Sequence, residues 1–208
     1  MTSVPENAYD RLPYVSYPFP QSHPNHLAAL AKIFGMNPPP LANCRVLELG
    51  CASGGNLLPM ASQMPGATFL GVDLSSRQIS DGQATVKQLG LTNVELRQLD
   101  ITTIDETFGK FDYIIAHGVF SWVPKDVQDK ILEICQRNLA PHGVAFVSYN
   151  TYPGWRMRSM LRDAMIYHAN QFADPAQRVQ QARALLDFLA QNVPVENNPY
   201  GILLKNEL

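Results

Sequence analysis

Charge is scarce in this chain. Asp, Glu, Lys and Arg together make up 16% of its 208 residues, against roughly 25% in an average soluble domain. The formal net charge is -2, so there is no global field to draw in a nucleic-acid backbone or an anionic membrane. Nucleic acid is therefore not an expected partner. Cysteine is sparse as well: Cys44, Cys51 and Cys135 are odd in number and unrelated in spacing, which argues against a disulfide frame and fits reduced thiols in a cytoplasmic protein. No segment approaches about eighteen consecutive apolar residues, and Met1 to Asp10 is interrupted by Pro5 and Glu6 where an export signal needs an apolar stretch. Neither a membrane span nor export is expected, and the closing Lys205-Asn206-Glu207-Leu208 is a coincidental likeness to a retention signal. His23-Pro24-Asn25-His26 has no companion cluster of acidic or thiol ligands, so no metal site is expected.

The chain does contain a distinctive turn. Val46-Leu47-Glu48-Leu49-Gly50-Cys51-Ala52-Ser53-Gly54-Gly55-Asn56 reads as a buried strand breaking into glycines that open a helix. About twenty residues on, Thr68-Phe69-Leu70-Gly71-Val72 ends in Asp73, a carboxylate suited to accept both hydroxyls of a ribose. A dinucleotide site wants G-x-G-x-x-G, whose middle glycine lets the backbone approach a pyrophosphate. Ala52 occupies that position. S-adenosylmethionine carries no phosphate and tolerates the looser Glu-x-Gly-x-x-x-Gly form, with its ribose on Asp73 and its amino-acid end beside Glu48, Gly50, Cys51, Ala52, Gly54 and Asn56. It is the expected cofactor. A nicotinamide or flavin, or glycines retained only for packing, are the competing readings.

The surrounding pattern predicts an α/β fold with a doubly wound, mostly parallel sheet, an extended N-terminal arm and extra C-terminal helices. Residues 1–40 form a Tyr/Pro-rich arm and a lid helix that starts at Ser22 and stops at Gly35. Residues 41–155 form the cofactor-binding core, with strands at Arg45 to Leu49, Thr68 to Asp73, Val94 to Leu99, Tyr113 to Ala116 and Val144 to Tyr149. Helices are expected from Gly55 to Gln63, from Ser75 or Ser76 to Gly90, and from Pro124 to Leu139. Residues 156–208 read as a helical extension, with helical periodicity from Trp155 to Asn170 and again after Asp174-Pro175. No strand follows the fifth, and the chain is expected to stop short of further strands and a regulatory region.

In open α/β sheets the ligand sits outside the carboxyl ends of the strands. Asp100, after the third strand, is placed either to accept a hydrogen bond from an adenine amine or to cap the turn holding Thr102 and Thr103. Leu74, Leu99 and Ile101 would border the nucleoside. His117 follows the fourth strand, where it either contacts cofactor or acceptor or holds its own loop. The Asp/Asn-Pro-Pro-aromatic motif of base-amine methyltransferases is absent there. Tyr14, Tyr152 and Trp155, with Tyr149, offer aromatic faces to an amine that gains charge as it is methylated, or else anchor the adjoining helix. Arg156, Arg158 and Arg162 either grip an acidic substrate or form a solvated helix face.

Taken together, the stretches Tyr9-Asp10-x-Leu12-Pro13-Tyr14-x-Ser16, Pro18-Phe19, His23-Pro24, Leu47 to Asn56, His117-Gly118-Val119-Phe120-Ser121-Trp122-Val123-Pro124 and Tyr149 to Trp155 resemble one family. It is that of the bacterial class I methyltransferases carrying a methyltransferase regulatory domain, which includes rickettsial-type protein-lysine methyltransferases acting on outer membrane protein. The resemblance implies a Rossmann-like core, S-adenosylmethionine as cofactor and a protein lysine as acceptor. A small-molecule acceptor, or a non-catalytic cofactor-sensing module, is the alternative.

Overall fold

The computed structural model describes residues 15–208; Tyr14, and the expectation that it faces the acceptor, lies outside them. Five strands form the sheet, in the order β3-β2-β1-β4-β5: β1 (Arg45–Leu49), β2 (Thr68–Asp73), β3 (Val94–Gln98), β4 (Phe111–Ala116) and β5 (Leu139–Val147). Every pairing is parallel, and β1 sits between β2 and β4 with Glu48 opposite Gly71 on one side and Ile115 on the other. Strand order therefore reverses at β1, which places the crevice of a doubly wound sheet at the carboxyl ends of β1 and β4.

The apolar runs of β1 and β4 follow from burial on both faces. Val46, Tyr113 and Ile115 point to one side, where they pack with Leu27 and Ala28 of α1 (Pro24–Ile33) and Leu57, Leu58 and Ala61 of α2 (Leu57–Gln63). Ile79 of α3 (Ser76–Leu89) joins the same cluster. Leu47, Leu49, Ile114 and Ala116 point to the other side, against Ile131 and Ile134 of α4 (Lys125–Asn138). The boundaries of α3 follow local chemistry: the Ser75 side chain accepts from Gln78 N–H, and Gly90 closes the helix at φ +65°.

Several boundaries differ from expectation. The first helix starts at Pro24, with His23 as its cap through Asn25 N–H, because Ser22 turns its hydroxyl inward to Asn56. The second helix begins at Leu57 rather than Gly55, and β3 ends one residue early, at Gln98. The largest shift is β5, which runs from Leu139 to Val147 instead of Val144 to Tyr149. Pro141 and Gly143 are absorbed as an irregularity in register between Phe111 and Tyr113, with His142 at φ +64°.

Residues 150–208 form a second compact unit, the first ending at Tyr149. The second unit contains α5 (Gly154–Ala169), α6 (Pro175–Asn192) and α7 (Pro199–Asn206), around a small core of Leu161, Ala190 and Leu204. Helix α7 is additional to the two helices expected in this region. Asn198 opens it by accepting from Tyr200 and Gly201 N–H, and Pro199 follows at the first helical position. No helix among the described residues is long and apolar enough to cross a membrane.

Candidate functional site

The end of β1 turns sharply because Gly50 adopts φ +73°, with Ala52 at +49° and Gly54 at +81°. A side chain at Gly50 would put its Cβ 2.4 Å from Val119 Cγ2 in the loop after β4. Glycine there thus answers both a left-handed backbone and a close approach between the two loops that flank the crevice. The turn is tied to β2 by Gly50 and Cys51 N–H donating to Val72 O, at 2.8 and 3.0 Å. Ala52 N–H donates to Asp73 Oδ2 at 2.8 Å, and Ser75 N–H to Oδ1 at 2.9 Å. Asp73 is half-buried, and each carboxylate oxygen keeps lone-pair capacity beyond its one backbone bond.

Below the turn lies a buried polar group. Glu48 is 3% exposed; its Oε1 accepts from Asn56 Nδ2 at 2.7 Å, while its Oε2 is buried with no partner among the described residues. Burial pushes this carboxyl up to about 7, with the Asn56 amide opposing and the nearby Asp73 charge adding to the rise. Cys51, also buried, has its thiol held well above the usual range by burial and by the same two carboxylates, so it is no thiolate nucleophile.

Asn56 is the junction of this network. Besides Glu48, its Nδ2 donates to Ser22 Oγ at 3.0 Å, and its Oδ1 accepts Phe19 N–H at 2.8 Å. Gly55 N–H donates to Ser16 Oγ at 2.9 Å, and a Cβ on Gly55 would lie 2.3 Å from Ser16 O. The second glycine of the pair therefore admits the segment before α1 rather than shaping the turn. Ser16, Phe19 and Ser22 are not among the expected site residues; Ser16 and Phe19 belong to a stretch that carries the resemblance, but their partners are far away in sequence.

His117 stands directly after Ala116, the last residue of β4. Phe19 covers it at 3.9 Å between ring centres, with Phe146 at 5.9 Å. Its Nδ1 is buried without a partner among the described residues, and burial lowers its pKa, which keeps the ring neutral. Gly118 N–H donates to Ser148 Oγ at 2.8 Å, joining the loops after β4 and β5. The Phe120 and Tyr149 rings lie 6.2 Å apart in those loops.

At the end of β3, Asp100 acts as a cap: its Oδ1 takes both Thr102 N–H (2.9 Å) and Thr102 Oγ1 (2.8 Å). Of the two openings left for this carboxylate, the turn is thus realised, and Oδ2 is left over. Leu99 and Ile101 are half-buried against the second core face, and Leu74 is half-exposed at 51%. Within the second unit, Tyr152 is exposed with the Arg156 guanidinium 4.6 Å above its ring, and Trp155 is half-buried in the first turn of α5. Arg158 pairs with Glu207 at 2.7 Å. Among the described residues no three His, Cys, Asp or Glu side chains gather as metal ligands; His23 is used as a helix cap.

Two of the cavities among the described residues bear on this architecture. One of about 360 Å³ lies beside the segment before α1, lined by Phe19, His23, His26, Asn56, Pro59 and Met60 among others. The other, about 370 Å³, includes Arg45 and Thr68, the first residues of β1 and β2, and so sits away from the glycine turn; its Arg97 is already paired with Glu95 at 2.6 Å.

A family model described as a methyltransferase domain matches residues 40–190. An uncharacterized protein of Rickettsia prowazekii (strain Madrid E) is 50% identical over 206 residues, 99% of this chain and 37% of its own length. A second uncharacterized protein of that organism is 44% identical over 200 residues, 96% of this chain and 80% of its own. Among solved structures, PKMT2 from Rickettsia typhi in complex with AdoHcy aligns with a TM-score of 0.80 at 45% identity, over 94% of this chain and 38% of that one. The chain thus spans well under half the length of the first relative and of PKMT2.

Proposed function

We propose, because the chain belongs to the class I methyltransferase family whose methyltransferase domain covers most of its length, that it transfers a methyl group from S-adenosylmethionine to a protein lysine. The observation that carries this reading is the turn Glu48-x-Gly50-x-x-x-Gly54 roped through Ala52 N–H to the carboxylate closing β2. The AdoHcy bound by PKMT2 supports the cofactor. The likeness to rickettsial protein-lysine methyltransferases supports the acceptor.

The residues fit such a cofactor. Asp73 retains acceptor capacity for ribose hydroxyls, Asp100 Oδ2 for an adenine amine, and Glu48 Oε2, buried and without a partner among the described residues, for the amino end. When bound, the cofactor supplies an electrophilic sulfonium methyl. The protein's part is then to hold the acceptor nitrogen in line and to relieve it of a proton. A lysine amine titrates near ~10.4 in water, so it must be desolvated and must meet a neutral acceptor. His117, kept neutral beneath Phe19, is the group we assign to that proton. Tyr152 and Trp155 are assigned to acceptor contact on sequence grounds.

Calorimetric titration of the full chain with S-adenosylmethionine, with NAD as the control, tests the cofactor. Saturable binding of the first alone is expected, and binding of NAD instead would refute the reading. Asp73→Ala is expected to abolish binding; an unchanged affinity would sink the ribose assignment. For the acceptor, a panel of bacterial proteins and small amines is incubated with isotope-labelled methyl donor and read by mass spectrometry. Label on lysine side chains supports the proposal, and label confined to small amines overturns it.

A further inference from the structure

Residues 15–23 cross from one lip of the crevice to the other. Ser16 lies on Gly55 and Phe19 on Asn56, both just past the β1 turn, while the Phe19 ring covers His117 past β4. Ser22, fully buried, closes the run by giving its hydroxyl to Phe19 O at 2.8 Å and accepting from Asn56. Three features make this a built contact. The Asn56 amide is satisfied at both ends, the Gly55 side has room for no Cβ, and His117 Nδ1 is sealed from water beneath the strap.

We propose that Asn56 is a positioning residue that latches the strap Ser16–Ser22 across the crevice, so that the ligand held there leaves only when the latch opens. The proposal rests on the reading that S-adenosylmethionine binds in this crevice. Asn56 is suited to the task because the same side chain reaches the Glu48 carboxyl below the turn and the strap above it. The bed that receives the ligand and the cover over it are thus joined through one amide. Losing one such neutral hydrogen bond is worth about 1 kcal/mol, which corresponds to roughly a fivefold change in rate; lifting the whole strap is worth more.

The test uses the full-length chain with S-adenosylhomocysteine as the probe. Amide hydrogen exchange of the free protein reads the strap, and stopped-flow displacement reads ligand dissociation. Asn56→Leu removes the latch, and Gly55→Ala lifts the strap sterically without touching Asn56, so one variant remains informative if the other does not fold. Expected in each is lost protection at Phe19 N–H and dissociation faster by about tenfold or more, with association changed by less than about threefold. A role in general stability alone would leave that ratio unmoved. Exposed strap amides with unchanged dissociation would overturn the latch and leave the cofactor reading standing. Retained protection in both variants would likewise overturn it. A parent protein that binds no S-adenosylhomocysteine would overturn the cofactor reading and this proposal with it.

Discussion

Glu48 is a carboxyl buried far from water. Its folded pKa of about 7 stands above the ordinary 4.5. Between those values the unfolded chain has released the proton that the folded chain still holds. Stability is therefore complete below the lower value and falls as pH rises toward the upper one, then levels. At about 1.4 kcal/mol per unit the loss is on the order of 3 kcal/mol. Glu48→Gln keeps an oxygen for the Asn56 amide but cannot ionise. Urea denaturation of both proteins from acid to mildly alkaline pH should therefore show the parent sloping and the variant nearly flat across this window; parallel curves would mean that the carboxyl is charged in the folded state.

Among the elements, the β1 turn is where backbone geometry and packing demand the same residue. Gly50→Ala meets both a left-handed φ and Val119 Cγ2 at 2.4 Å. The φ alone costs about 1–2 kcal/mol, and the collision adds to it. Adding Val119→Ala should recover the collision but not the φ, so thermal melts of the single and double variants separate the two. This turn was legible in the sequence because its causes are local: an apolar run, then glycines, then a polar residue opening a helix. The same holds for α3, bounded by Ser75 and Gly90. Legibility failed where the cause was distant or weak. The expected start of β5 is Val144, but Leu139 already pairs with Phe111, and Pro141 and Gly143 fall in the irregularity between that pair and Tyr113–Val144. Helix α7 has a good cap yet is only 8 residues long. Gly55 reads as part of a cofactor turn until Ser16 is seen against it. Tyr152 and Trp155 stand out in the sequence only as aromatics after a strand, a signal that carries no geometry.

At the scale of the whole molecule the two compact units are unequally built. The first has apolar clusters on both faces of a parallel sheet, while the second is held by three helices around Leu161, Ala190 and Leu204. Opening free energy follows buried apolar contact. Amides of α5 to α7 should therefore exchange before those of β1 and β4, and Leu204→Ala should speed exchange in the helical unit while leaving the sheet protected. Uniform exchange across the chain would instead indicate a single cooperative unit.

The strap also bears on the order in which the molecule can assemble. Ser16 and Phe19 are synthesised before their partners Gly55 and Asn56, which follow 39 and 37 positions later, and His117 follows later still. Contacts between distant positions wait on loop closure, and this one needs β1 and β4 side by side before Phe19 has anything to cover. The earliest described residues to be translated are thus the last to take their place. Until β1 and β4 lie side by side, a nascent chain has no crevice for this strap to cross.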